Sequence, residues 1–238
     1  MSLLRLLPDT WKETLRRRAG AVTTPARLKN LCRAGFAPRQ IIDAGAYRGE
    51  WARMIHAIFP EAAVLMIEPQ PARAQDMLRL CREHPLFRFR SEAVGAKSGH
   101  SVFLLAESNS RMITPETQLP EGPPTCTVTV ATLAELAVAE GFAGCEFLKL
   151  DLQGHELEAL AGAGELFGRV EVILTEVSLL RIGPVPIFRE VHEIFHNKGY
   201  RLYDIFGLNH RPLDGALWQA DLVFVREDSP LLGSLQFS

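Results

Sequence analysis

The 238-residue sequence is poor in cysteine, and its four thiols (Cys32, Cys81, Cys126 and Cys145) never form a C-x-x-C pair. That scatter argues against a zinc knuckle or a dithiol redox motif and is consistent with free thiols in a reducing cytosol. Long hydrophobic runs are missing too, and none approaches the roughly 20 residues of a membrane-crossing helix. The N-terminus lacks the basic, long apolar and small-residue order of a signal peptide. A cytoplasmic protein is expected. Charge of one sign is absent: the formal net charge is −2, so the whole molecule offers no cationic field, and no nucleic-acid partner is expected. There is no internal repeat and no low-complexity tract.

What is present has an ordinary globular balance, 47% hydrophobic and 23% charged, in a chain long enough for one full α/β domain and short for two. From residue 40 short apolar runs alternate with helical stretches, the rhythm of a parallel sheet. Strands are expected at Gln40–Ala44, Ala63–Ile67, Phe87–Val94, Glu146–Asp151 and Val170–Val177. Helices are expected over Glu50–Phe59, after Glu68-Pro69 to about Cys81, and over Leu133–Glu140, His155–Phe167 and Pro186–Asn197. The last β segments, Arg201–Phe206 and Ala216–Val225, are joined by a loop too short for a crossover helix and should be antiparallel. The expected fold is therefore α/β and Rossmann-like: a mostly parallel seven-stranded sheet with an antiparallel C-terminal hairpin strand and helices on both faces. Residues 98–130 interrupt the rhythm with two β segments around a polar, Pro-rich stretch, the kind of insertion in which substrate loops lie.

The first strand ends in Asp43-Ala44-Gly45-Ala46-Tyr47-Arg48-Gly49. Gly45 permits a tight bend and close approach of a ligand to bare main chain, and the next helix starts near Gly49 with its free N–H groups facing the same place. Glu68, followed by Pro69 at the end of the second strand, is placed to accept both hydroxyls of an adenosine ribose. That logic serves NAD and S-adenosylmethionine alike. The missing second glycine of G-x-G-x-x-G separates them, because a pyrophosphate needs the close approach that this glycine provides. S-adenosylmethionine is favoured.

The segments IIDAGAYRGEWA, MIEPQP, EAVG, TVTVATLAEL and FLKLDLQGHELEALAGA together resemble the FkbM-type methyltransferases from about Ile41 to Val177, with looser similarity to the end. The last segment matches the family's K-x-D-x-x-G-x-E pattern at Lys149, Asp151, Gly154 and Glu156. Two positions depart from the family: Gln153 replaces the usual Glu before the glycine, and His155 replaces the usual small residue after it. The resemblance implies transfer of a methyl group from S-adenosylmethionine, usually to a hydroxyl oxygen of a sugar, polyketide or other secondary metabolite. It implies that Asp43, Gly45 and Gly49 surround the methionine part, Glu68 the ribose and the Glu92-Ala93-Val94 turn the adenine, with Ala46, Tyr47 and Pro69 also in the cofactor site.

Asp151, at the end of the fourth strand, can orient the cofactor's amino group, accept the substrate proton or bind a metal. Lys149 points to the same side and can pair with Asp151 or hold an anionic substrate. Glu156 opens a helix, where a carboxylate is favoured by the dipole. His155 suits the general base that removes the hydroxyl proton. Ser110 and Arg111 in the insertion, and Glu176 at the end of the fifth strand, are the candidate acceptor contacts. Asp151, His155 and Glu176 could share a divalent metal, but the set lacks a dense carboxylate cluster, so no metal is expected. His192-Glu193-Ile194-Phe195-His196 spells H-E-x-x-H. That motif is common by chance, and Phe188, Val191 and Phe195 read instead as a helix packed on the sheet.

Residues 1–34 form an expected basic helical extension ahead of a methyltransferase domain at 35–238. Eight cations (Arg5, Lys12, Arg16, Arg17, Arg18, Arg27, Lys29, Arg33) stand there against Asp9 and Glu13. Leu3, Leu4, Leu6, Leu7, Trp11 and Leu15 can share one face, which suits a packed helix, a lid, or peripheral contact with a membrane surface. The readings held beside the methyltransferase are an NAD-dependent oxidoreductase and a non-catalytic S-adenosylmethionine-binding protein. The partner expected is a small hydroxyl acceptor.

Overall fold

The structure is a computed structural model and describes residues 23–113, 124–183 and 185–233. The main sheet contains β1 (Gln40–Ala44), β2 (Ala63–Ile67), β3 (Phe87–Arg90), β8 (Phe147–Leu150), β9 (Val172–Ser178), β10 (Tyr200–His210) and β11 (Leu217–Arg226). Their order is β10-β11-β9-β8-β1-β2-β3. Pairing is parallel except at β11, which runs antiparallel to both β9 and β10. The hairpin expected from the short final loop is therefore present, inserted so that its second strand lies inside the first.

Alternate residues of the central strands enter two separate cores, which is why these strands read as continuous apolar runs. Ile42, Ala44, Leu65, Ile67, Leu148 and Leu150 face one side, with Leu136 of α4 (Leu133–Ala139), Leu160 of α5 (Glu156–Ala161) and Phe195 of α6 (Phe188–Asn197). Ile41, Val64, Met66 and Phe147 face the other, with Leu28 of α1 (Thr24–Arg33), Ile55 of α2 (Glu50–His56) and Leu80 of α3 (Ala74–Glu83). Among the described residues three helices thus cover each face. α1 buries Leu28 and Leu31 completely or nearly so, so residues Thr24–Arg33 pack on the sheet. The leucine-rich stretch ahead of them lies outside the described residues.

Two elements differ from the sequence expectation. The strand expected over Phe87–Val94 breaks at Ser91–Glu92: β3 stays in the main sheet, while β4 (Ala93–Val94) joins a second sheet. This sheet has the order β4-β7-β5-β6, with β5 at Gly99–Leu104, β6 at Arg111–Met112 and β7 at Thr125–Ala131. The insertion is thus a small layer with its own core of Ala93, Phe103, Val128 and Val130. The helix expected over His155–Phe167 stops at Ala161, because the chain must pass close to Gly95. A Cβ on Gly162 would lie 2.2 Å from the Gly95 carbonyl oxygen, and Gly164 has φ +57°.

Candidate functional site

β1, β2 and β8 are parallel neighbours, so the loops leaving them emerge at one end of the sheet, where open α/β sheets hold ligands. Gly45 and Ala46 donate to the Ile67 carbonyl at 3.0 and 3.1 Å, folding the first loop over the end of β2. Gly45 has φ +83°, and a Cβ there would stand 1.9 Å from the Asp151 carbonyl oxygen. Only glycine lets these two loops touch.

A cavity of about 270 Å³ lies across these loop ends, near the low end of the roughly 300–1,000 Å³ usual for small-ligand sites. Its walls include Gly45, Ala46, Tyr47, Glu68, Pro69, Glu92, Ala93, Ser110, Lys149, Asp151 and His155. Ten of the residues expected at the cofactor and its chemistry are therefore brought together, and Ser110 joins them. Two are not. Asp43 is fully buried behind the wall, because side chains alternate along β1 and its own points into the α1–α2–α3 side. Gly49 opens α2 with φ +73°, and a Cβ there would meet Leu80 Cδ1 at 2.3 Å. It is a packing glycine, not a wall of the cavity.

Glu68 is 3% exposed. Its Oε2 accepts from the Tyr47 N–H at 2.8 Å and its Oε1 from the Gln70 N–H at 2.9 Å. Each oxygen keeps a further lone pair for a ligand hydroxyl. Burial pushes its pKa up, against the lowering effect of the two backbone donors. Tyr47 stands where a dinucleotide loop has its second glycine, at φ +49°, and as a side chain in the cavity wall it cannot offer the close main-chain approach that a glycine gives a pyrophosphate. The cradle suits an adenosyl group without phosphates. At the far end Arg90 pairs with Glu92 in a two-bonded contact and also reaches Glu140 at 3.2 Å. The hydrogen bond from Arg90 lowers the Glu92 pKa, so Glu92 flanks the cavity as an ionised carboxylate paired with Arg90.

Lys149 is the hub beneath the floor. Its Nζ donates to Asp43 Oδ1 at 2.9 Å and to the Gly45 carbonyl at 3.0 Å, and lies 3.5 Å from Asp151 Oδ2. Burial works against its charge, but Asp43 and then Asp151 outweigh that and raise its pKa. The ammonium ties β1, the Gly45 bend and Asp151 together as a positioning group. Asp151 is also fixed by Gln153, whose Nε2 donates to Oδ1 at 2.9 Å. Gln153 adopts φ +54°, a left-handed conformation that costs a non-glycine residue about 1–2 kcal/mol. Glu156 braces the same loop: its Oε1 accepts from the N–H of Leu152 at 2.8 Å and of Gly154 at 3.2 Å, and burial pushes its pKa up to about 7.

A second cavity of about 650 Å³ adjoins the first and shares Ser108, Met112, Asp151, Gln153 and His155 with it. Arg111 and Glu176 line it, together with Glu156, Glu158, Asn209, Trp218 and Gln219. At His155 the Nδ1 is buried without a partner, and burial lowers its pKa, which keeps the imidazole neutral near pH 7. Glu176 accepts from Gln219 Nε2 at 3.1 Å; burial first, then Asp151 and Asp221, push its pKa up to about 8. Asp221, opposite Glu176 in the β9–β11 register, has its own pKa pushed up to about 7, chiefly by burial. Sequence reading passed over Asp221, Gln153 as a brace, and Trp218. Only the strand register places the first beside Glu176. Among the described residues no group of three or more His, Cys, Asp or Glu side chains could hold a metal ion. His192 and His196 stack at 6.3 Å on α6, and neither lines either cavity.

Residues 43–202, well over half of the chain, match the family model described as the Methyltransferase FkbM domain. The chain belongs to this family of S-adenosylmethionine-dependent methyltransferases. Among solved structures it is similar to the FkbM methyltransferase of Methylobacillus flagellatus, at 16% identity and a TM-score of 0.52, over 77% of this chain and 43% of that one. It is also similar to the fibrillarin pre-rRNA processing protein of Methanococcus jannaschii (15% identity, TM-score 0.49, 80% of this chain and 67% of that one). A third is the Aeropyrum pernix fibrillarin in complex with natively bound S-adenosyl-L-methionine (13%, 0.48, 79% and 66%). The chain spans less than half the length of the M. flagellatus protein. No curated protein matches the sequence.

Proposed function

We propose that the protein transfers a methyl group from S-adenosylmethionine to a hydroxyl oxygen of a small acceptor such as a sugar or glycolipid. One observation carries this reading: a cradle shaped for an adenosyl group and a larger polar cavity meet at Asp151, Gln153 and His155. When bound, the cofactor would supply an electrophilic methyl on a sulfonium that is already a good leaving group. The chain's own task is then to hold the ribose at Glu68, align the acceptor, and take up its proton. His155 is neutral and faces the junction, so it can accept that proton, a contribution of typically 10²–10⁴-fold. Asp151, held by Lys149 and Gln153, is positioned to orient the reacting groups.

Among the described residues the acceptor cavity carries four carboxyl groups, Asp151, Glu156, Glu158 and Glu176, of which burial holds Glu176 largely in its acid form at pH 7, against one cation, Arg111. That balance disfavours a phosphodiester backbone, which needs neutralising cations, and supports a neutral hydroxylated acceptor rather than nucleic acid. Trp218 offers an apolar face for a sugar ring. No helix among the described residues is long and apolar enough to cross a membrane. A cytoplasmic setting is part of the proposal and rests on the four free cysteines.

The test is turnover of methyl-labelled cofactor against a panel of sugars, glycolipids, amines and RNA. Label is expected on a hydroxyl acceptor, with His155→Ala slowing transfer while cofactor binding persists. Label only on an amine or on RNA would overturn the oxygen-acceptor reading, and unchanged turnover would remove His155 as the base.

A further inference from the structure

The loop between β5 and β6 borders the smaller cavity, and its Ser108 and Ser110 form part of the wall. The hairpin is braced internally: the Ser110 hydroxyl accepts from the Ala106 N–H at 2.8 Å and donates to the Glu107 carbonyl at 2.7 Å. Its tie to the opposite rim runs through one residue. The Glu107 carboxylate accepts from the Tyr47 hydroxyl at 2.7 Å and from Arg73 at 2.6 Å, with Arg48 3.7 Å away. Its carbonyl also accepts from Gln70 Nε2 at 3.2 Å. The Arg73 guanidinium lies over the Tyr47 ring, 4.7 Å from its centroid, a cation–π contact that completes the clamp.

Tyr47 and Glu107 both hold left-handed backbone conformations, φ +49° and +52°, which non-glycine residues keep only when their surroundings enforce it. Tyr47 also works in two directions. Its hydroxyl binds Glu107, while its N–H sets the Glu68 carboxylate that faces the ribose.

We infer that Glu107 is a positioning residue for the methyl donor: by clamping Tyr47 and Arg73 it straps the β5–β6 loop across the cofactor cavity and holds Tyr47 in register with Glu68. The strap must open for donor and spent product to exchange. Glu107 lines neither cavity and sits 73% exposed on its side chain, so its substitution is expected to leave the fold intact. This inference rests on the reading that the cavity holds S-adenosylmethionine.

The experiment is stopped-flow binding of S-adenosylmethionine and S-adenosylhomocysteine to the full chain, wild type against Glu107→Ala, Glu107→Gln and Tyr47→Phe, at low and high salt. Glu107→Ala is expected to dissociate both ligands about tenfold faster or more, with its melting temperature without ligand unchanged. Glu107→Gln, which keeps an acceptor for Tyr47 but loses the charge opposite the arginines, is expected to recover part of the effect. Raising the salt should speed release from wild type and leave Glu107→Ala unaffected. Equal release rates in wild type and Glu107→Ala, with the donor bound by both, would overturn the strap. Failure of wild type to bind the donor at all would overturn the cofactor reading itself, and the strap with it.

Discussion

Replacing Lys149 with methionine removes the only partner that the described residues give to the Asp43 carboxylate. Asp43 is 0% exposed, its Oδ1 is bound by Lys149 at 2.9 Å, and its Oδ2 has no hydrogen-bond partner. Breaking such a buried pair from one side costs about 3–5 kcal/mol, whereas replacing both members with apolar residues can be nearly neutral. At roughly 2–4 °C per kcal/mol for a chain of this size, Lys149→Met should melt about 6–20 °C below wild type. The double variant Asp43→Leu with Lys149→Met should recover most of that loss, although the Gly45 carbonyl also forfeits its bond from Lys149.

The pH dependence gives a second reading of the same variant. Burial already raises the Asp43 pKa, and Lys149 is the group that opposes it. Without Lys149 the pKa rises further, so the carboxyl is stable as the acid at low pH and loses that stability as pH climbs through the raised value. The deficit of Lys149→Met should therefore shrink when the melt is repeated towards pH 5. Calorimetry on wild type, both single variants and the double variant measures these quantities. A Lys149→Met loss below about 1 kcal/mol, or a double variant as poor as the two single losses added, would refute the buried-pair account.

Gly45→Ala places a methyl 1.9 Å from the Asp151 carbonyl oxygen at φ +83°, so a loss of about 2–5 kcal/mol is expected from strain and overpacking together. An unchanged melt in that variant would contradict the loop contact. Glu176 and Asp221 have pKa values raised to about 8 and about 7. Their contribution is fully present below their unfolded values and lost as pH rises through the raised ones. The variant Glu176→Gln with Asp221→Asn should accordingly gain several degrees over wild type at pH 9 and little at pH 5, and equal behaviour at both pH values would show that the pair is not buried together.

Much of the frame is legible because parallel central strands are apolar on both faces. Gln40–Ala44 and Ala63–Ile67 emerge at the expected residues. The rim of the smaller cavity is legible for a related reason: Glu68 and Asp151 follow directly on strands whose ends share one side of the sheet. Residues whose roles depend on register or on distant packing are less accessible. Asp43 looks like a rim residue until alternation along β1 turns it inward to Lys149, and Gly49 looks like a ligand glycine until α3 brings Leu80 against it. Asp221 meets Glu176 through pairing of strands more than 40 residues apart in sequence. Glu107 sits in a polar loop with no local signal, and its role comes only from the arrival of Tyr47 and Arg73 from the main sheet.

Titration calorimetry with S-adenosylmethionine and, separately, with NAD tests the central claim most directly, because the Glu68 cradle and the Tyr47 side chain should accept one and refuse the other. The expected result is one S-adenosylmethionine bound per chain, binding strongly weakened in Glu68→Ala, and no heat with NAD. Binding of NAD without S-adenosylmethionine, or S-adenosylmethionine bound equally well by Glu68→Ala, would contradict it.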